Sequence, residues 1–482
     1  METKKKALII TYYWPPSGGS GVQRWLKFAK YLPLYGWEPV IYTPENPEAN
    51  TEDPSLAKDI APGTEVIKRK IWEPYSIFKM LSRKKDISSD GGKHIKANLI
   101  GSENKSLSHK ISLFVRGNFF IPDPRRFWIR PSVKFLSKYV KENHIDVIIS
   151  TGPPHSMHLI AKGVKEATGV RWIADFRDPW TEIFYFKHLN LTKWAYRRHR
   201  NLEQSVLDSA DVVVTVNNQV QKDFAARTST PVAMITNGFD HQDIEPATEP
   251  RDMSKFSLLH TGIFVDNGNP EHLWEVLGQK AAAEPQFMED LQIRLMGQVD
   301  STILAGIDKA GLTEKLINMG YRPHKEVVQW QRRAQVLLMP LRKEPEAGAI
   351  LAGKFFEYIA SGRPMLAFGP TKGVVADALQ ETGGGVIVDF SDKESTRKEI
   401  DRLYAEYLQE KAAAASATEA EASEGGKKLS GGKIELSPAV MKYSRQHLTG
   451  DCGQKPQDRQ RSGGFTGSSL TYQAKGFTFF NL

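Results

Sequence analysis

A single cysteine, Cys452, in 482 residues leaves no partner for an internal disulfide and excludes a cysteine-built zinc cluster. Long apolar runs are also missing: nothing approaches the ~18 consecutive residues that a membrane-spanning helix needs. The glycine loop near the start does not follow G-x-G-x-x-G and lacks the Lys-Ser/Thr of a P-loop. Zinc-finger spacings and an RNA-recognition signature are absent, which leaves nucleic acid a poor candidate partner. Lys4-Lys5-Lys6 precede an apolar run that stops at Pro15-Pro16 with no small-residue cleavage site, a pattern expected of a first β-strand rather than of a signal peptide. A cytoplasmic protein is the simplest expectation.

What is present is a near-ordinary globular composition, 40% hydrophobic and 25% charged, enough for two large domains. The net charge of +9 is unevenly placed. Residues 1–240 hold 36 Lys+Arg against 24 Asp+Glu, and the stretch from Lys68 to Lys141 holds 18 against 5. Trp72, Tyr75, Phe78, Phe114, Phe119, Phe120, Phe127 and Trp128 sit among those basic residues. Basic stems interleaved with aromatics suit an anionic membrane surface, although a solvated face plus core aromatics gives the same composition.

Period and punctuation give the organisation. ALIITYY at 7–13, the loop WPPSGGSG, a helical spacing of Val22, Trp25, Leu26, Ala29 and Leu32, and PVIYT at 39–43 make a βαβ unit. DVIIS at 146–150, RWIADF at 171–176 and DVVVTV at 211–216 continue the series, while about 60–130 reads as a basic insertion. A second series runs through SLLHTG at 257–262, LQIRLMG at 291–297, QVLLMPL at 335–341, PMLAFG at 364–369 and VIVDF at 386–390. The expected architecture is α/β, with two Rossmann-like doubly wound domains over 1–240 and 241–410 facing a central cleft. The Ala/Ser/Glu/Gly-rich stretch from about 411 is expected to be a disordered linker, KYSRQHLT at 442–449 could begin another helix, and the tail from Gly450 to 482 is expected to be irregular.

Chemistry is expected where these strands end. Gly18, Gly19 and Gly21 lack a Cβ and open a helix, so their N–H groups could meet a diphosphate, or simply form a tight turn. His155 and His158 lie just past DVIIS, either as site residues or as capping or core residues, and His155, nearer the strand end, is the better site candidate. Asp175, Arg177 and Asp178 crowd alternating charges into four residues at the end of RWIADF, as a site or as a surface ion pair. Asn237 begins the turn of ITNGFD, lining a site or only joining domains. The segment EPEAGAILAGKFFEYIASGRPML at 344–366 carries the strongest signal. Gly348, Ala349 and Gly353 leave room for a ligand, Lys354 sits at a helix start where it opposes the dipole unless an anion is present, and Glu357 is one turn on, placed for a ribose diol.

FEYIASGRPML after a Glu/Gly loop resembles the donor-binding helix of GT-B glycosyltransferases of family 4. YYWPPSGGSGVQRWLKFAKYL is similar to that family's N-terminal glycine loop and helix, ITNGFD to its linker turn, and SLLHTG and GYRPHKEV to its donor-domain first strand and later turn. The resemblance implies a retaining, metal-independent transfer from a UDP- or GDP-linked sugar, with no cofactor. It also implies a lipid-linked or glycan acceptor in cell-surface polysaccharide synthesis, and peripheral placement on the inner face of the plasma membrane. The absence of an Asp-x-Asp triplet agrees with metal independence. Carried over, Gly19 faces the donor phosphates, Gly262 and Asn237 line the donor site, Lys354 pairs with the diphosphate and Glu357 holds the ribose. His155, Arg177 and Asp178 line the acceptor side and the reacting sugar. The sequence departs from the family in two places. Eight residues before Glu357 stands Ala349 rather than a second Glu, for which Glu346 or Glu344 can substitute, and HTGIFVDNGNP lacks the usual Arg and Lys after the glycine. A non-catalytic nucleotide-sugar-binding or scaffold protein of the same fold is the alternative.

Overall fold

The structure is a computed structural model; it describes residues 4–48, 52–73, 114–115, 117–183, 186, 189–244, 251–344, 347–348, 351–424 and 436–453. The chain divides into two compact units, one holding the chain up to Thr236 together with the chain from Arg445, the other Asn237–Ser444.

The first unit is built on β1 (Lys5–Ile10), α1 (Ser20–Tyr31), β2 (Trp37–Pro44), β3 (Glu65–Arg69), α2 (Arg126–Glu142), β4 (Val147–Gly152), α3 (Ser156–Thr168), β5 (Arg171–Phe176), α4 (Lys193–Ser209), β6 (Val212–Thr215), α5 (Asn218–Ala225) and β7 (Val232–Met234). Its sheet runs β3-β2-β1-β4-β5-β6-β7, and each pairing is parallel. Helices cover both faces, so the central strands are buried on both sides, which is why β4 and β6 read as continuous apolar runs. Val22, Trp25, Leu26, Phe28 and Ala29 pack α1 under one face, and Leu448 from the chain's return to this unit joins the same cluster. Tyr35 fixes that return by donating its hydroxyl to Gln446 O at 2.9 Å.

The second unit contains β8 (Phe256–Thr261), α6 (Glu271–Ala283), α7 (Pro285–Asp290), β9 (Leu291–Met296), α8 (Ser301–Lys309), β10 (Leu316–Gly320), α9 (His324–Arg333), β11 (Val336–Pro340), α10 (Gly353–Ala360), β12 (Met365–Phe368), α11 (Val374–Thr382), β13 (Gly385–Val388), α12 (Lys393–Glu424) and α13 (Pro438–Met441), before α14 (Arg445–Gly453) re-enters the first unit. The second sheet runs β10-β9-β8-β11-β12-β13, again parallel. Strand order reverses beside β1 and β4 in the first sheet and beside β8 and β11 in the second. Ligands of doubly wound sheets bind outside the carboxyl ends at such points.

Three expectations are corrected. Residues 65–69, placed in the basic insertion, form β3 and pair with β2; most of the remaining insertion lies outside the described residues. Residues 411–424, expected as linker, continue α12, because the alanines at 412–415 are the best helix formers and Lys411 anchors the turn before them on Asp290 at 2.9 Å. The helix Arg445–Gly453, which begins within KYSRQHLT, runs on past Gly450, where regular structure was expected to stop; the rest of the tail, 454–482, lies outside the described residues.

Candidate functional site

In the first unit the carboxyl ends of β1, β4 and β5 bring together the glycine loop, the TGPPHS turn and the FRDPW turn. Gly19 has φ 89° and precedes α1, whose first turn carries no acidic residue and whose N-cap makes no side-chain hydrogen bond. Gly18 is half-buried just before it. A Cβ on Gly21 would fall 3.0 Å from the Tyr13 ring and 3.1 Å from Arg177 Nη1, so only glycine fits without displacement.

Arg177 is half-buried, and its donors go to backbone carbonyls: Nη1 to Gly21 O at 2.9 Å, Nε to Gly152 O at 3.3 Å, and Nη2 to Pro153 O. It therefore ties the start of α1 to the end of β4. Burial lowers its pKa, against the pull of Asp175 and Asp178. Asp178 is exposed beside it.

Asp175, read from the sequence with Arg177 and Asp178 as one charged group, is the best-connected carboxylate here. It is fully buried and accepts from Arg24 Nη2 at 2.8 Å, Trp25 Nε1 at 2.7 Å and Thr151 Oγ1 at 2.8 Å. Burial alone would raise its pKa, but Arg24 and these hydrogen bonds hold it below the ordinary carboxylate value.

His155 is buried, with its ring stacked on Trp180 at 4.6 Å and 1°. His155 Nδ1 and His158 Nε2 have no hydrogen-bond partner among the described residues, and a Cβ on Gly152 would fall 3.1 Å and 2.6 Å from them. Burial, reinforced by His158, His199 and Arg177, pushes the His155 pKa well below its usual value, so the ring is neutral. Trp180 is held in turn by Glu203, which accepts from its backbone N–H at 3.1 Å.

In the second unit β8, β9 and β10 each end on glycine, and a side chain at the end of β9 would collide with the backbone. Gly262 has φ 96° and donates to Met296 O at 2.7 Å, and a Cβ on Gly297 would fall 2.2 Å from Gly262 O. The Lys354 side chain, from the first turn of α10, runs over Gly262: a Cβ there would lie 3.3 Å from both Cε and Nζ. Lys354 Nζ donates to His260 Nε2 at 3.2 Å. Burial lowers the Lys354 pKa to about 8, with Glu357 opposing.

Glu357, one turn along α10, is a partly exposed carboxylate between two α9 side chains, His324 Nε2 at 3.2 Å and Gln331 Nε2 at 3.3 Å. Gln331 also donates to Thr261 Oγ1 at 3.2 Å, and the Tyr358 hydroxyl accepts from Thr261 N at 3.0 Å. Helix, strand end and glycine turn are thereby locked together.

The structure thus gathers Gly262, Lys354 and Glu357 at the switch point of the second sheet. Gly348 lies elsewhere, packed so that a Cβ would meet Pro370 at 3.2 Å. Glu344 accepts from Asn267 Nδ2 at 2.6 Å, while Glu346 and Ala349 lie outside the described residues. Asn237 begins the second unit, and Gly238 comes next with φ 60°, so the turn stands where the chain passes from one unit to the other. His260, His324 and Gln331 were missed. His260 had a usable signal: it is the lone ionisable residue in an apolar strand, two positions before Gly262 and so on the same face.

Comparisons with known proteins divide the chain in the same way. Residues 101–243 match the family model Glycosyltransferase Family 4, and residues 255–406 match Glycosyl transferases group 1. No curated protein is similar in sequence. Among solved structures, sucrose-phosphate synthase of Thermosynechococcus elongatus superposes with a TM-score of 0.50 at 14% identity over 84% of this chain and 90% of that one. The N-terminal domain of trehalose-6-phosphate phosphatase of Candida albicans does so with a TM-score of 0.52 at 12% identity, over 92% and 94%. At such identities the likeness is one of fold. The two family models between them reach both parallel sheets, and the chain is a glycosyltransferase of the GT-B, family 4 type.

Proposed function

We propose that this glycosyltransferase moves a sugar from a UDP- or GDP-linked donor to a lipid-linked or glycan acceptor in cell-surface polysaccharide synthesis, with retention and without a metal. The observation that carries the reading is the Lys354 ammonium, half-buried at the second sheet's switch point over a glycine whose missing Cβ makes room for it. Negative charge grows on the leaving diphosphate as the glycosidic bond breaks. A fixed ammonium and the N-terminal amides of α10 oppose that charge in a site of low dielectric, without reorganising at the moment of reaction. The same arrangement supports the proposed metal independence, since Lys354 offers charge of the sign that a divalent cation would bring. Glu357, oriented by Gln331 and His324, holds the ribose diol.

In the first unit Gly19 and the open start of α1 bind phosphate oxygens. Gly18 and Gly21 shape that loop, and Arg177 holds it against the β4 turn. His155 contributes a neutral ring wall stacked on Trp180, and Asp178 faces the acceptor. Asn237 lies on the turn that opens the second unit, and Gly348, packed against Pro370 apart from Lys354, is given no contact with the donor.

The acceptor is proposed to be met at an anionic membrane surface. No helix among the described residues is long and apolar enough to cross a bilayer. Support comes from Trp72, 54% exposed and edge-on to Phe127 at 4.8 Å, with the Arg126 guanidinium 5.7 Å from the Phe127 ring. An apolar body with a cationic rim is the composition that an acidic headgroup layer attracts.

The test is a screen of nucleotide sugars read as free nucleotide release, with and without a chelator, followed by the anomeric proton coupling of the product. Release from a UDP- or GDP-sugar, unchanged by the chelator and with the donor's anomeric configuration kept, is expected. Turnover lost with the chelator, or an inverted product, overturns those parts of the reading.

A further inference from the structure

Lysine is a flexible, strongly hydrated point charge, and at the start of a helix the dipole repels it. Left alone, the Lys354 side chain would be expected to swing out to water. What holds it is a ring from a different element. His260 is 1% exposed, packed on Phe264 with ring centroids 4.3 Å apart. Its Nδ1 lies 3.1 Å from Leu338 O. A carbonyl oxygen only accepts, so Nδ1 carries the proton. Its Nε2 lies 3.2 Å from Lys354 Nζ, and an ammonium only donates, so Nε2 offers its lone pair. Leu338 O and Lys354 Nζ demand the same neutral tautomer; burial together with the ammonium drives the His260 pKa well below its usual value, against the opposing pull of the backbone at Leu338 and Ile263.

His260 sits on β8, Leu338 on β11 and Lys354 on α10, so one imidazole spans the two strands of the switch point and the helix after them. Among the described residues the ammonium makes no other hydrogen bond, which leaves two of its three donors for an incoming anion. The titratable groups facing it are His260 from β8 and Glu357 from α10, with His324 of α9 behind that carboxylate.

We propose that His260 is a positioning residue for the donor: fixed as the Nδ1–H tautomer by Leu338 O, it accepts from Lys354 and aims the ammonium across Gly262 at the diphosphate. This rests on the donor-site reading above. It compensates for the missing Arg and Lys after Gly262, because one cation held rigidly from a neighbouring helix takes the place of two on the loop.

The test is calorimetric titration of the full chain with UDP and GDP between pH 6.5 and 9.5. Wild-type affinity should be level below about pH 8 and fall above it, as the free ammonium loses its proton. His260→Phe keeps the volume and removes the acceptor. It should weaken binding at pH 7 about tenfold, the worth of a hydrogen bond to a charged group. It should also move the inflection to lower pH, because an acceptor that favours the charged form is gone. His260→Gln keeps an acceptor at the end of its side chain and should stay within about threefold, with the wild-type inflection. A Phe variant that binds like wild type, or a folded Gln variant as weak as Phe, overturns the proposal.

A second readout needs no variant. Ring nitrogen shifts of labelled histidine should show His260 protonated at Nδ1 alone across this range, and an imidazolium or the opposite tautomer overturns the proposal equally. Lys354→Ala separates this inference from the reading beneath it. If it binds nucleotide like wild type, or if the wild-type chain binds neither nucleotide, the donor-site reading falls and this inference with it. If Lys354→Ala is weak while His260→Phe is not, the inference alone falls.

Discussion

Replacing Asp175 with alanine should destabilise the first unit while leaving the chemistry itself intact. The Arg24 and Asp175 side chains are 2% and 0% exposed and meet at 2.8 Å, with Trp25 Nε1 and Thr151 Oγ1 on the same carboxylate. Removing one partner of a buried ion pair leaves an uncompensated charge and costs about 3–5 kcal/mol. The orphaned indole and hydroxyl donors keep the figure in the upper half of that range. For a unit of this size each kcal/mol moves the melting temperature by roughly 2–4 °C, so a fall of roughly 8–20 °C is expected by calorimetry. Adding Arg24→Met removes the stranded charge, so the double variant should recover roughly 1–3 kcal/mol relative to Asp175→Ala alone. The pH dependence has a fixed sign. The folded pKa is depressed, so this pair's contribution is fully present above the unfolded carboxylate value near ~3.9 and is lost as pH falls through the folded one. An Asp175→Ala protein that melts within 2–3 °C of wild type (roughly one kcal/mol), or strictly additive losses in the double variant, would refute the reasoning. Full stability with abolished turnover would instead make Asp175 a site residue.

Glu357→Gln should cut turnover, and Lys354→Ala should weaken donor binding, each by roughly 10²-fold or about 2.7 kcal/mol, measured as kcat and as nucleotide affinity. In the unliganded protein Lys354 has a folded pKa lowered to about 8, so the unfolded chain binds more protons between there and ~10.4; stability rises with pH across that window. The wild type should therefore gain on Lys354→Met over that range in urea unfolding. Binding to anionic liposomes should drop steeply with salt, since surface attraction is screened over about 8–10 Å, and Trp72→Ala with Phe127→Ala should weaken it further. Salt-insensitive binding, or none, removes the membrane role.

Most of the fold was legible because parallel strands buried on both faces must be apolar throughout: VIIS in β4 and VVVT in β6 allow no other reading. The edge strand β3 was not, because EVIKR leaves its faces half-buried or exposed and its charges hide it inside a basic stretch. Helix α12 was misread beyond residue 410, where small residues suggested a linker although alanine is the strongest helix former. Within the site, sequence reached whatever is local. Lys354 and Glu357 are one turn apart on one helix, and Gly262 ends its own strand. The partners that orient them come from far along the chain: His260 is 94 residues from Lys354, and Arg24 is 151 from Asp175. No periodicity encodes such a pairing; the sheet's strand order does.

Arg177 shows how that limit shapes functional reading. Charge at a strand end suggested direct work on the sugar. Yet its Nη1 is 2.9 Å from Gly21 O and its Nε 3.3 Å from Gly152 O, so the cation is spent on the backbone of two loops. Lys354 is the reverse case, an ammonium whose one hydrogen-bond partner among the described residues is a neutral acceptor. A cation bonded to carbonyls builds a site, whereas a cation bonded only to an imidazole lone pair keeps its charge available. By that criterion the proposed diphosphate contact goes to Lys354, while Arg177 gives the glycine loop of the first unit its shape.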